Sequence, residues 1–272
     1  MEYEIKPKEK LSLGIAELWQ YRELFYFFTW RDIKVKYKQT VLGFLWAVLQ
    51  PFFMMIIFSV FFGRALKVPS ENLPYPVFVF SGLLLWNVFA SGLTAAGNSM
   101  INNANIIKKI YFPRLIIPVS AVLVALFDFL MSFLIFIGIL LYFHTQVAVL
   151  KFIVFIPAGL VIASISTFGL GSFLAALNIK YRDFRYIIPF LVQALLFLTP
   201  VIYPVSILTH QWMKYIMALN PMYAAIELFR NAIVTQPLNM NLIFISICSS
   251  FILFIIGLFY FRKTESYFAD LA

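Results

Sequence analysis

"WRDIKVKYKQTVLGFLWAVLQP", residues 30–51, sets two kinds of chain end to end. Arg31, Lys34, Lys36 and Lys38 crowd its first half, and a largely apolar run begins at Val41. A charged helix placed against the start of an apolar one is the pattern of a chain entering a bilayer through its headgroup layer.

The composition agrees with that reading. Hydrophobic residues make up 62% of the 272-residue chain and charged residues only 12%, where a soluble domain carries roughly 45–50% apolar residues. One soluble core cannot hide that much apolar surface, so lipid must solvate part of it. A lone cysteine, Cys248, excludes an internal disulfide and a cysteine-based metal cluster. The apolar stretch 24–30 has charges on both sides and no small-residue cleavage pattern, so the N-terminus does not read as a cleavable signal.

A helix needs about 20 mostly apolar residues to cross the hydrocarbon. Six stretches qualify: 41–62, 77–100, 115–143, 152–177, a short one at 187–203, and 242–261. Six crossings put both termini on one side. Sixteen Lys and Arg fall on that side and five on the other, which by the positive-inside bias makes the termini cytoplasmic and the chain a multi-pass protein of the cytoplasmic membrane. The net charge of +9 is mostly this topology signal and calls for no nucleic-acid partner. The expected fold is an all-α polytopic membrane protein, one transmembrane domain over 1–272. It comprises a cytoplasmic segment 1–40, helices over 41–203, an external segment 204–241, a last span 242–261 and a tail 262–272.

Three segments outside the spans carry further information. Over 11–38, Glu17, Gln20 and Glu23 repeat at three-residue spacing while Ile15, Leu18, Trp19, Phe25 and Phe28 lie largely elsewhere on the wheel, which predicts an amphipathic helix lying in the interface. Arg31, Lys34 and Lys38 then form a basic face that either anchors the helix on anionic lipid or cradles the phosphate of a lipid-linked substrate. In the loop "NNANIIKKIYFPR", 102–114, Asn105 is placed to cap a short helix over 106–111. Exposed Ile106, Ile107 and Ile110 beside Lys108 and Lys109 make either a docking knob for a soluble partner or an ordinary positive loop. The external segment is too apolar for a solvated loop. Asn220 followed by Pro221 marks a helix start. The helix 221–234 would show Met222, Ala225, Ile226, Phe229 and Ile233 on one face and Glu227, Arg230 and Asn231 on the other. With a preceding helix at 211–219, the pair is expected to dip into the outer leaflet without spanning.

Chemical motifs are scarce. There is no HExxH, and His144 and His210 both fall on external loops. "GLTAAGNS", 92–99, has the glycine spacing of a phosphate-binding loop, but Asn98 replaces the required lysine and no strand precedes it. The chain therefore holds no nucleotide, metal or cofactor site of its own, and it is not an enzyme. Asp128, in the middle of the third span, either pairs with a polar group on a neighbouring helix or has a functional role. Ala163, Thr167, Gly171 and Ala175 form a small-residue stripe for close helix packing. The in-span aromatics Trp46, Phe53, Phe80, Trp86, Phe89, Phe190 and Phe197, with Tyr203, either pack and face lipid or wall a channel on which sugar rings slide.

The opening stretch, with Arg31-Asp32, Lys34, Lys36-Tyr37, Leu42-Gly43, Trp46 and Pro51, resembles the entry signature of polysaccharide-exporting ABC transporter permeases of the Wzm type, which move O-antigen and have teichoic-acid and capsule relatives. "KKIYFPRLIIP" (108–118), "NIKYRDFRYIIP" (178–189), "TPVIYP" (199–204) and "NPMYAAIELFR" (220–230) resemble that family's later landmarks, in order through nearly the whole chain. The resemblance implies a permease that pairs with a second copy of itself and with two copies of a separate ABC ATPase, which would hold the ATP and magnesium. It implies that the amphipathic helix rests on the ATPase. Asn105, Ile106, Ile107, Lys108, Lys109 and Tyr111 would belong to the coupling helix, and Met222, Ile226, Glu227, Phe229 and Arg230 to the external gate. Arg31, Lys34, Lys36 and Lys38 would then meet the phosphates of an undecaprenyl-pyrophosphate-linked glycan within the membrane lipid. Other classes fit less well. A stand-alone channel or secondary transporter predicts an internal repeat, which is not visible. An intramembrane transferase needs clustered carboxylates or a membrane-facing histidine. A drug-exporting permease of the same fold is the nearest rival.

Overall fold

The computed structural model describes residues 15–38, 40–181, 183–234, 236–265 and 268. Lys6, Lys8, Lys10 and Arg182, counted in the charge bias, and the first residues of the expected amphipathic helix lie outside these. The described residues are helical without strands. α1 (Ile15–Gln20) and α2 (Arg22–Lys38) form the entry segment. α3 (Leu45–Phe58) continues as a π-helical turn, Ser59–Ala65. α4 (Tyr75–Asn102) is followed by the single turn α5 (Ala104–Ile107), then α6 (Ile116–Tyr142), α7 (Val149–Lys180) and α8 (Phe184–Phe197). Two short outer helices, α9 (Gln211–Ala218) and α10 (Met222–Asn231), precede α11 (Met240–Glu265).

Five helices are long and apolar enough to cross a membrane: Leu45–Ala65, α4, α6, α7 and α11. The segment expected to span at 187–203 instead ends its helix at Phe197, 14 residues from its start, which covers about 21 Å against roughly 30 Å of hydrocarbon. Pro200 explains the stop. It lacks an N–H and pushes Thr199 off the helical conformation, so the Thr199 hydroxyl turns back to the Leu195 carbonyl at 2.5 Å.

α4 is the central helix. Val77, Phe78, Val79 and Phe80 are wholly buried, and α4 packs against α3, α6, α7, α8 and α10. Phe80 stacks on Phe136 of α6 at 6.0 Å, and Phe136 in turn meets Phe229 of α10 at 5.7 Å. The small-residue stripe on α7 faces α4 as its spacing predicts. A Cβ on Gly171 would come within 2.8 Å of the Ala96 methyl, and one on Gly92 within 2.6 Å of Thr167. A second close crossing, between α7 and α11, brings Gly257 against the backbone of Gly169. The end of α11 is pinned to the start of α6: Glu265 accepts from the Arg114 backbone N–H at 3.1 Å and pairs with Arg262 at 2.7 Å.

The outer helices are folded into the protein. Asn220 caps α10, its Oδ1 accepting from the Met222 N–H at 2.9 Å while its amide donates to the Thr199 hydroxyl at 2.7 Å. Ser246, Ser249 and Ser250 of α11 donate to the carbonyls of Asn220, Leu219 and Pro221 at 2.8, 2.7 and 3.1 Å. Three hydroxyls from one helix thus hold the α9–α10 turn.

Candidate functional site

A cavity of about 690 Å³ opens between α4, α6 and the junction of α2 with α3. Its α4 wall is a polar stripe inside an apolar helix: Asn87, Ser91, Thr94, Asn98 and Asn102. The steps of four and three residues keep these side chains on one face of the helix. Ser91 and Thr94 donate to the carbonyls one turn back, at 2.6 and 2.8 Å. Each hydroxyl oxygen therefore keeps acceptor capacity toward the cavity. Asn178 of α7 braces the stripe from behind, donating to the Gly97 carbonyl and to Asn98 Oδ1 at 2.9 and 3.0 Å.

The opposite wall carries the charge. Lys36 Nζ forms an ion pair with Asp128 Oδ2, and the Tyr37 hydroxyl donates to Asp128 Oδ1. Burial, and then the Asp128 carboxylate, push the Tyr37 hydroxyl far above the ordinary phenol range, so it stays a donor. Ser132 of α6 donates to the Ala47 carbonyl at 2.8 Å, which sets the first turn of α3 beside Asp128. Between α2 and α3 the chain turns through Gly43, whose φ of +52° favours a residue without a Cβ. The intramembrane carboxylate read from the sequence is thus the docking point of the basic segment read beside it.

The four basic residues do not face one common site in this structure. Lys36 alone of them lines the cavity. Arg31 faces the cytoplasmic loop expected from the sequence. It donates twice to Asp32 Oδ1, at 2.9 and 2.7 Å, and once to Asn103 Oδ1, at 2.7 Å. It also lies over the Phe28 ring at 4.7 Å, and that ring meets Phe112 at 5.5 Å. Lys34 and Lys38 line a separate apolar groove on the outside of α2.

The other expected residues divide in the same way. Asn105 does not cap the cytoplasmic helix. Asn103 holds that position, and its side chain is occupied with Arg31 and with the Ser99 carbonyl at 2.8 Å. Ile107 is not exposed but packs in a cluster with Phe28 and Phe112, and Ile106 is half-buried. Lys108, Lys109, Ile110 and Tyr111 are exposed, with the Tyr111 hydroxyl 3.2 Å from Glu17. Of the candidate channel aromatics, only Trp46 lies on the cavity. Phe80, Trp86 and Phe89 are buried in the core around α4, which removes them from any pathway in this conformation. Phe53, Phe190 and Phe197 face outward, and Tyr203 ties back to the Phe197 carbonyl at 2.6 Å.

At the outer end, Met222, Ile226 and Phe229 are fully buried. On the polar face, Arg230 and Asn231 are buried too. Arg230 donates to the Val201 carbonyl at 2.8 Å and lies over the Phe78 ring at 3.7 Å. Glu227 Oε1 is sealed from solvent. Burial pushes the Glu227 carboxyl up to about 7, with Arg230 opposing the shift, and burial pulls the Arg230 guanidinium down to about 10. Burial also raises Glu71, which lines a small cavity together with Glu227 and Arg230.

Sequence reasoning missed the α4 stripe. Its signal was present as the spacing 87, 91, 94, 98 and 102, five hydrogen-bonding side chains on one face of an apolar helix.

A polytopic helical chain with a polar cavity in its membrane region has the build of a permease. The chain belongs to the ABC-2 type transporter family, whose model matches residues 23–234. It is 31% identical over 241 residues to the O-antigen export system permease protein RfbA of Klebsiella pneumoniae, covering 89% of this chain and 92% of that protein. It is 31% identical over 210 residues to RfbA of Myxococcus xanthus, covering 76% and 79%. The polysialic acid transport protein KpsM of Escherichia coli is 22% identical over 206 residues, covering 75% and 78%.

Proposed function

We propose that this chain is the transmembrane permease of an ATP-driven exporter that carries a lipid-linked polysaccharide, O-antigen on undecaprenyl pyrophosphate, across the cytoplasmic membrane. The observation that carries this is the cavity wall of Asn87, Ser91, Thr94, Asn98 and Asn102. Neutral amides and hydroxyls on one helix suit a polymer of hydroxyl groups, because each can donate or accept and none holds a passing sugar by charge. Lys36 stands at the mouth, where a phosphate would compete with Asp128 for its ammonium. The names carried by the O-antigen relatives favour this substrate. Both termini lie in the cytoplasm, and the membrane is crossed six times, with α8 and the turn after it completing the fifth crossing. Two copies assemble with two copies of a separate ATPase, which supplies nucleotide hydrolysis and docks on α1 and on the loop from Lys108 to Tyr111.

The test is to express the chain with its ATPase, purify the complex, and measure hydrolysis with and without lipid-linked glycan. Hydrolysis stimulated by the glycan, and lost with Asn87→Leu in a complex that still assembles, is the expected result. A chain that purifies alone and moves solute without nucleotide would overturn the proposal. The 22% relative that transports polysialic acid makes capsule polymer the second reading; stimulation by that glycan and not by O-antigen would establish it.

A further inference from the structure

We propose that the groove on the outer side of α2 is a binding site for an anionic phospholipid of the cytoplasmic leaflet, held by Lys34 and Lys38. The leaflet rests on the orientation given above; the site itself does not. The groove measures about 490 Å³ and is lined by Trp30, Ile33, Gly43, Phe44, Phe127 and Met131. Its lining is almost wholly apolar except for the two lysines and Tyr37. Lys34 and Lys38 are one helical turn apart on one face of α2, and Lys36 points to the other side, into the polar cavity.

The level of the groove in the membrane follows from α3. The continuous helix Leu45–Ala65 has 21 residues, about 31 Å, which matches the hydrocarbon thickness. Its first residue therefore marks the edge of the hydrocarbon, and Lys34 and Lys38 stand just before it, among headgroups. The exposure of α6 agrees: Ile116 and Ile117 are buried under protein, while Leu130, Leu134 and Leu141 are exposed. The groove thus offers apolar walls to an acyl chain and two ammonium groups to a phosphate directly above it.

Charge selects the occupant. Neither Lys34 nor Lys38 has a carboxylate partner among the described residues, and Lys34 instead lies over the Trp30 ring at 5.2 Å. Two unpaired cations at the rim of an apolar groove match a lipid phosphate. A second copy packed through the same face would set lysines against lysines. Each lysine near an anionic headgroup strengthens association about fivefold, and the two together roughly thirtyfold.

The experiment uses the full-length chain in nanodiscs, without ATPase or glycan, so that it stands apart from the test of export. Wild type, Lys34→Gln with Lys38→Gln, Lys34→Arg with Lys38→Arg, and Lys36→Gln are titrated with brominated phosphatidylglycerol and brominated phosphatidylcholine, reading tryptophan quenching. We expect wild type to prefer phosphatidylglycerol at least tenfold. The glutamine pair should lose that preference, while the arginine pair and Lys36→Gln keep it. Unfolding temperatures in neutral lipid check that the glutamine pair is folded. Equal binding of both lipids by wild type, or an unchanged preference in the glutamine pair, would overturn the site. So would a change in dimerisation of the glutamine pair without a change in quenching, which would make the groove a face between copies. Displacement of phosphatidylglycerol by equimolar undecaprenyl phosphate would assign the groove to the carrier lipid instead.

Discussion

Asp128 carries one negative charge into the membrane region and receives two donors there, Lys36 and the Tyr37 hydroxyl. Removing the carboxylate leaves an ammonium at the hydrocarbon edge without its partner. The pair is only partly buried, so the loss lies between the small value of an exposed pair and the large one of a buried pair, about 1–2 kcal/mol. Asp128→Ala should lower the unfolding temperature and free the end of α2, seen as faster proteolysis after Lys36 or Lys38. Asp128→Asn keeps an acceptor for Tyr37 and should lose less; equal losses would show that the lost charge carries the whole effect and the Tyr37 hydrogen bond none of it. Glu227 gives a prediction in pH. Its carboxyl has an ordinary value of 4.5 and is raised to about 7 when folded, so the folded state holds a proton that the unfolded chain releases. Stability is therefore highest below about 4.5, falls as pH rises to about 7, and is flat above it, a loss of about 3 kcal/mol in all. Glu227→Gln should remove most of that slope in a thermal-unfolding series from pH 4.5 to 8. A residual slope is expected from Glu71, which is raised in the same direction. The buried Arg230 titrates outside this range.

At the scale of helices, the spans were legible because hydropathy is summed over some twenty residues and tolerates local error. What failed was finer. The fifth stretch stayed apolar past Pro200, but its helix did not, since hydropathy carries no information on backbone donors. The wheel position of Lys36, two residues from Lys34 and from Lys38, already set it on another face of α2. Phe80, Trp86 and Phe89 are buried rather than cavity-lining because burial depends on which helix lies opposite, and α4 is covered on nearly every side. The stripe on α7 was read correctly, yet Gly169, on the opposite face of the same helix, makes the tighter contact, with α11. Its partner Gly257 meets backbone, which cannot rotate away. Gly257→Ala must push α11 from α7, and overpacking of this kind costs about 1–3 kcal/mol. Gly138, with open space around it, is the control: Gly138→Ala should leave the unfolding temperature unchanged or raise it slightly, through its better helix propensity. Equal effects at the two sites would mean that the crossing is loose.

Across the whole molecule, one line of contacts runs from the cytoplasmic loop to the membrane cavity. Asn103, at the start of α5, holds Arg31; Arg31 belongs to α2; and α2 ends in Lys36 and Tyr37, which hold Asp128 on the cavity wall. A push on the loop thus moves a helix whose far end borders the polar stripe of α4. The loop was recognised in the sequence, but all its isoleucines were read alike. In the fold they divide: Ile107 is sealed against Phe28 and Phe112, and Ile110 is exposed. The two positions therefore separate the platform from the docking surface proposed above. Ile107→Asp buries a carboxylate without a partner and should destabilise the chain by several kcal/mol, losing the ATPase only as a consequence of unfolding. On the proposed docking, Ile110→Asp should leave the unfolding temperature of the isolated chain within about 1 °C and still reduce co-purification of the ATPase severalfold, because replacing an exposed apolar side chain by a charged one costs the fold little and acts on binding. Measuring unfolding and co-purification on both variants distinguishes the roles. If Ile110→Asp retains the ATPase at the wild-type ratio, docking does not use this loop, and the line from Asn103 to Asp128 is a brace for α2 rather than a path for motion.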